Sequence, residues 1–279
     1  MSKLWIADSG STKTDWCLYE NGKIVLRAVT SGINPVYQTG EEINRLIKDE
    51  LQSLLAPQAS APLYFYGAGV INREKAEMLQ TVFGGFFTGN IEVYSDMIGA
   101  ARSLCQHSPG IACILGTGSN SCFYNGNEIV NNVSPLGFIL GDEGSGAVIG
   151  KLFIADLLKN QLPEKLKSDF IEAHQLTVSD IIDRVYRKPF PNRFLASFVP
   201  YIIDTMPRYG EIELLVRKSV ELFFTRNVMQ YDYKNYPVHF TGSVAFRLNP
   251  MLRQVAQEYG IQIGEITASP IEGLGGYHH

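Results

Sequence analysis

One supersecondary unit occurs twice in this chain. Residues 3–8, 13–20 and 23–29 read as three strands. The turn Gly10-Ser11-Thr12 joins the first two, and Asn21-Gly22, a strong hairpin signal, joins the second and third. Residues 111–130, "IACILGTGSNSCFYNGNEIV", repeat that order of strand, Gly/Ser/Thr turn, strand, Asn-Gly turn and strand. Even the third strands match, "NGKIV" against "NGNEIV". The repeat is far longer than a solenoid period. It calls for two similar meanders, and 279 residues are enough to build a domain around each.

After the first meander, Ile43, Leu46, Ile47, Leu51, Leu54 and Leu55 predict a helix over 39–55. "PLYFYGAG" (62–69) reads as a buried strand ending in glycines; a helix at 72–83, a strand at 91–94 and a helix at 97–105 follow. This alternation predicts an α/β unit. The second half reads as helical over 145–160, 163–175, 177–186 and 211–230, with the two prolines of 187–194 as a separator. "VHFTGSVAF" (238–246) is a strand running into a glycine-serine turn and a helix; a strand around 261–266 and "IEGLGG" (271–276) close the chain. "QHSPG" at 106–110 interrupts the pattern, so the expected domains are 1–107 and 108–279, the second enlarged by the helical segment.

A net charge of −4 gives no electrostatic reason to expect nucleic acid or an anionic membrane as partner. The first apolar run, Leu4-Trp5-Ile6-Ala7, is too short for a signal peptide or a membrane span, so the cytoplasm is the expected location. Cys17, Cys105, Cys113 and Cys122 form no CxxC pair; Cys17, Cys113 and Cys122 lie in strand-like apolar runs and read as buried thiols. The five histidines show no metal-ligand spacing; for His278-His279 a tag remnant is an open reading, and no function is assigned to the pair.

The small-residue turns carry the chemistry. A phosphate needs donors and close approach; glycine allows the approach, turn amides make an anion nest, and Ser/Thr hydroxyls add donors. "DSGST" and "LGTGS" both have that composition, each at the end of a buried strand. Neither a GxxxxGK[ST] loop nor a GxGxxG before a helix is present. Asp8, beside the first turn, is placed either to hold Mg²⁺ or to cap the turn. Asp96, after "IEVYS", is a catalytic candidate or a helix N-cap. Asp142 and Glu143 precede a helix within "LGDEGSG", and Asn34 of "SGIN" has the default reading of a turn residue.

Taken in order, "DSGST", "SGIN", "YSDM", "LGTGSN", "GDEGSG", "FTGSV" and "EGLGG" resemble the N-acetylglucosamine kinases and the wider BadF/BcrA-type ATPases of the actin–hexokinase superfamily. The match spans nearly the whole chain. The resemblance implies an α/β fold of two ribonuclease-H-like lobes with a nucleotide and sugar cleft between them. It implies ATP with Mg²⁺, and phosphorylation of N-acetylglucosamine or a related amino sugar at the 6-hydroxyl. By position, Gly10, Ser11, Thr12 and Lys13 match the first phosphate loop, with Asp8 toward the metal, and Thr117 and Gly118 match the second. Gly242 and Ser243 match the adenosine motif, and Gly275 and Gly276 lie where the chain closes on the nucleotide. Asn34, Ser119, Asn120, Asp142 and Glu143 fall at or beside sugar contacts, and Asp96 matches the catalytic aspartate. Where the kinases have Gly-Trp-Gly, this chain has Pro135-Leu136-Gly137, so Leu136 and Gly137 are expected to shape the acyl end of the sugar site. The expected partner is a small-molecule sugar, and a homodimer stays open. Two other readings stand beside the kinase: a dehydratase-activating ATPase carrying a cluster on cysteines, with Cys105 and Cys122 the nearest candidates, and a non-catalytic amino-sugar sensor.

Overall fold

The computed structural model describes residues 3–279; Met1 and Ser2 lie outside them. Ten strands form two five-stranded sheets. They are β1 (Lys3–Ser9), β2 (Lys13–Glu20), β3 (Lys23–Ser31), β4 (Leu63–Gly67), β5 (Ile91–Ser95), β6 (Gly110–Leu115), β7 (Ser119–Tyr124), β8 (Ile129–Val133), β9 (Val238–Thr241) and β10 (Ile263–Thr267). The first sheet runs β3-β2-β1-β4-β5 and the second β8-β7-β6-β9-β10. The two orders are one permutation, so the repeat seen in the hairpins extends through both sheets. β1, β2 and β3 pair antiparallel, whereas β4 joins β1, and β5 joins β4, in parallel.

Local chemistry explains most boundaries. Asn21 and Gly22 both have positive φ, 50° and 75°, as a two-residue hairpin turn requires. The second Asn-Gly turn is built differently: the Asn125 side-chain oxygen accepts from the amides of Asn127 and Glu128, both at 2.9 Å, so a longer Asx-type loop leads into β8. The helix expected over 39–55 is two, Gly40–Glu50 and Gln52–Leu55. Thr39 and Glu42 form a capping box at its start, and Leu51, at φ −133°, leaves helical geometry while its side chain stays in the core. The expected separator at 187–194 is also corrected, because helix Pro191–Ala196 begins inside it and Val199–Thr205 follows. Proline in a first turn sacrifices no hydrogen bond, so Pro191 and Pro200 sit at helix starts, while Pro189 stays in the link before them.

The chain divides into two compact units, one of residues through Ala112 with Tyr124–Val130 and Ser269–His279, the other of Cys113–Phe123 and Asn131–Ala268. This differs from a division at 107/108, chiefly because the C-terminal segment packs with the first unit. Both faces of the first sheet are covered. Trp5, Ala7, Trp16, Leu63 and Phe65 pack with Ile43, Ile47, Leu79 and Phe83 of the helices on one side. On the other, Leu4, Ile6, Cys17, Tyr19 and Tyr66 pack with Ile271 and Leu274 of helix Ile271–Tyr277. In the second unit Phe223, Phe224 and Phe240 meet at ring-centroid distances of 5.9–6.5 Å.

Candidate functional site

In the first unit the turn after β1 is fastened from behind. Ser9 Oγ and Thr14 Oγ1 lie 2.7 Å apart, and Ser9 Oγ donates to the Ile33 carbonyl at 2.9 Å. The Gly10 amide closes the turn on the Lys13 carbonyl at 3.0 Å, and the Gly32 amide takes the Thr12 carbonyl at 3.0 Å. A Cβ on Gly32 would stand 2.6 Å from the Gly10 oxygen and 2.8 Å from the Ser11 oxygen. The turn's carbonyls therefore face the Gly32 segment. In a trans peptide the following N–H points the opposite way, so the amides of Ser11 and Thr12 face away from that segment. Thr12 is exposed beside them, and Lys13 is held by Asp15 at 2.8 Å.

The second unit repeats this logic with different parts. The Gly116 amide donates to the Gly118 carbonyl at 2.9 Å, and the carbonyls of Gly116 and Thr117 accept from Gly146 and Ala147 at 2.8 and 3.0 Å. Those two amides open helix Gly146–Leu158, whose N-cap is Ser145. The amides of Thr117 and Gly118 consequently point away from the helix. In both turns the carbonyls face the supporting segment and successive amides face outward, an arrangement of donors that suits an anion.

Three parallel strand ends carry the first unit's acids. Asp8 is in register with Tyr66 of β4, and Tyr66 with Tyr94 of β5. Asp96 lies two residues past Tyr94, so Asp8 and Asp96 flank the end of β4 at Cα positions roughly 12 Å apart, two strand spacings across and two residues along. β4 ends in Gly67-Ala68-Gly69, and a Cβ on Gly69 would collide with the Asn34 side-chain oxygen. Asn34 is buried; that oxygen accepts from the Val36 amide at 3.0 Å, which keeps its carboxamide over the glycines. The structure thus gathers Asp8, the 10–12 turn, Asn34 and Asp96 beyond the carboxyl ends of parallel strands, where α/β sheets bind ligands.

Burial pushes the Asp8 carboxyl up to about 7, helped by the charges of Asp96 and Asp15 and opposed by Lys13. Such uncompensated negative potential suits a divalent cation. Mg²⁺ characteristically takes one or two carboxylates and completes its shell with phosphate and water oxygens, so Asp8 fits as a single protein ligand. Burial also raises Asp96, against the pull of the backbone amides of Met97 and Asp96 itself. Asp96 is not the N-cap: Ser95 fills that role, accepting from the Ile98 amide at 3.3 Å, and Asp96 accepts from Met97 at 2.8 Å.

In the second unit Asp142 stands beside the second turn, with Gly118 against its Oδ2. Burial pushes its carboxyl up to about 6, restrained by the amides of Ser119 and Gly137. Glu143 is buried and paired with Arg226 at 2.8 Å, so it serves the fold of the GDEG turn. The Asn120 side-chain oxygen accepts from the Ser121 amide and from Asn132, both at 2.9 Å. Gly242, at φ 116°, has no room for a Cβ because of the Leu115 carbonyl, which places the start of helix Ser243–Arg247 beside the second turn. Leu136 adopts a left-handed φ of 63° and is 62% exposed; with Leu140, Glu143 and Arg226 it lines an open groove.

Some expectations change. Gly275 and Gly276 lie within helix Ile271–Tyr277, and Gly275 is glycine because a Cβ would overlap the Tyr19 ring; packing accounts for it. His278 and His279 pack against Tyr66, Tyr64 and Tyr19. Gly32, Gly69 and Gly146 shape the two turns and the β4 end through neighbours distant in sequence, which the sequence alone does not reveal. The Cys105 thiol is buried and pushed up to about 12 by desolvation, the reverse of what a metal-binding thiolate needs. No helix of the described residues is long and apolar enough to cross a membrane.

No protein-family model and no curated protein matches the sequence. Among solved structures, a Porphyromonas gingivalis protein described as a candidate N-acetylglucosamine kinase is 50% identical, with 99% of this chain and 98% of that one aligned at a TM-score of 0.96. A second candidate N-acetylglucosamine kinase, from Chromobacterium violaceum, is 18% identical, with 100% and 99% covered and a TM-score of 0.78. A ROK-family glucokinase from Streptomyces griseus, solved with glucose and AMPPNP, is 16% identical, with 99% and 98% covered and a TM-score of 0.65. The last two show a shared two-lobe α/β fold.

Proposed function

Because the chain belongs to the N-acetylglucosamine kinase family of the actin–hexokinase superfamily, we propose that it transfers the γ-phosphoryl group of ATP to an amino sugar, N-acetylglucosamine first, at the 6-hydroxyl. The observation that carries this reading is the pair of turns whose carbonyls are tied back and whose amides are presented. Such donors, fixed before the reaction, stabilise charge on a transferring phosphoryl group without reorganising during the step.

The residues divide the work. In the first unit the amides of Ser11 and Thr12, with the Thr12 hydroxyl, hold phosphate oxygens. Asp8 would hold Mg²⁺, which when bound neutralises phosphate charge. Asp96, a buried carboxylate of raised basicity, orients and deprotonates the acceptor hydroxyl. Asn34 contributes its carboxamide to the sugar. In the second unit the amides of Thr117 and Gly118 hold phosphate, and Gly242 and Ser243 receive the adenosine. Asp142 accepts sugar hydroxyls, Ser119 and Asn120 flank it, and Leu136 and Gly137 border the acyl group. A kinase that consumes ATP works in the cytoplasm.

The test is sugar-dependent ADP release from MgATP, with N-acetylglucosamine, N-acetylmannosamine, glucosamine, glucose and muramic acids as acceptors. We expect N-acetylglucosamine to give the highest kcat/KM. ADP release that none of these sugars stimulates would overturn the reading, and iron retained on anaerobic purification would then point to a dehydratase activator.

A further inference from the structure

The β4 end is flanked by Asp8 and Asp96, and one residue before its glycines stands Tyr66, fully buried and in register with Asp8. The Tyr66 ring also bears on the helix that Asp96 begins: a Cβ on Gly99, one turn beyond Asp96, would come within 2.9 Å of the Tyr66 Cβ. Tyr66 is therefore the spacer between the strand end with Asp8 and the helix start with Asp96. Two groups fix its hydroxyl. Arg102 of the same helix donates to it at 3.1 Å, and His278 Nε2 lies 2.7 Å away. Arg102 can only donate, so the hydroxyl accepts from it and has its own proton available for Nε2 of a neutral His278. The His278 ring stacks on Tyr64 at 3.8 Å, and the Arg102 guanidinium lies 4.1 Å from the Tyr94 ring centre.

We infer that His278, acting through Tyr66 and Arg102, is a positioning residue that sets the separation of Asp8 and Asp96. The surroundings keep it in the neutral form this requires. Tyr64 and Tyr66 face it from β4, Glu92 from β5, Arg102 from helix Asp96–Cys105, and Tyr277 and His279 from its own segment. Burial and the Arg102 cation depress its basicity, and the one acid among these groups, Glu92, is engaged by the Tyr94 hydroxyl.

The test compares Tyr66→Phe, His278→Ala and His278→Gln, the last retaining a hydrogen-bond acceptor at the reach of Nε2. The activity arm rests on the kinase reading; the second arm, amide hydrogen exchange, does not. We expect Tyr66→Phe and His278→Ala to lower kcat by about ten- to a hundredfold, the scale of a small misplacement of reacting groups. The KM values for ATP and sugar should stay within about twofold, and His278→Gln should recover most of kcat. In the same two variants exchange should quicken at residues 67–69 and 97–99 while helix Gly40–Glu50 keeps its protection. Unchanged kcat, a loss not rescued by His278→Gln, or exchange that quickens uniformly would each overturn the inference. If the wild type phosphorylates no sugar, the kinase reading fails and the exchange pattern alone decides this one.

Discussion

A side-chain carbon on Gly118 would stand 3.0 Å from Oδ2 of Asp142. The phosphate-type turn and the acid of the GDEG turn are thus in van der Waals register, and the glycine is what lets them share the space. Gly118→Ala must push a carboxylate that the amides of Ser119 and Gly137 hold in place. Function should suffer more than fold. We expect the sugar KM to rise about tenfold, an effect of about 1.4 kcal/mol, with only a small change in Tm. A lowered Tm with unaltered sugar KM would detach Asp142 from the sugar.

Asp142 also predicts an opposition of stability and function. Its carboxyl is raised from 3.8 to about 6, chiefly by burial, so within that window the folded chain binds more protons than the unfolded one. Stability contributed by this group therefore falls as pH rises through the window, and the loss is complete above it. Asparagine tolerates the left-handed backbone that Asp142 adopts at φ 55°. Asp142→Asn should consequently melt higher than the wild type near neutral pH, the difference vanishing in acid, while sugar binding weakens. Thermal unfolding across pH, with sugar titrations on the same samples, checks both halves.

Asp96→Asn separates chemistry from capping. Ser95 caps the helix, so the variant keeps both the cap and an acceptor for the Met97 amide. Tm should barely move, whereas kcat should drop by about a hundredfold or more if the carboxylate is the base. Near-normal kcat would remove Asp96 from the reaction.

Gly32 is the support against which the first turn lies. In Gly32→Ala the new carbon would press on the Gly10 and Ser11 carbonyls at 2.6 and 2.8 Å, and the turn must move. MgATP should bind about tenfold more weakly, on the scale of one lost charge-assisted hydrogen bond, and sugar binding without nucleotide should persist. Calorimetry showing the reverse order would assign the turn to the sugar.

Local signals made much of this legible. The Asn-Gly and Gly/Ser/Thr turns and the alternation of strands and helices carried the repeat, and with it the two sheets. What escaped was non-local or ambiguous in kind. Pro189 and Pro191 read as a separator, since the sequence does not tell a first-turn proline such as Pro191 from an interior one. Gly275 read as part of a ligand loop because the Tyr19 ring that demands it lies far away in the chain. His278 carried no signal at all, for its meaning depends on Tyr64, Tyr66 and Arg102 meeting in space. For Asp96 the sequence left catalysis and capping open, and the backbone geometry assigns the cap to Ser95.

The packing of Ile271 and Leu274 onto the first sheet bears on how the protein is made. Leu4, Ile6 and Tyr19 leave the ribosome early, yet the helix that covers them is translated only after the whole of the second unit. Throughout that interval one side of a hydrophobic sheet is covered only by helix Asp96–Cys105, and its full closure depends on a contact of very high sequence separation. Long-range closure of this kind slows folding and leaves nascent chains exposed to aggregation. Chaperone demand during synthesis should therefore track how quickly the second unit is elongated, more than the stability of the finished enzyme.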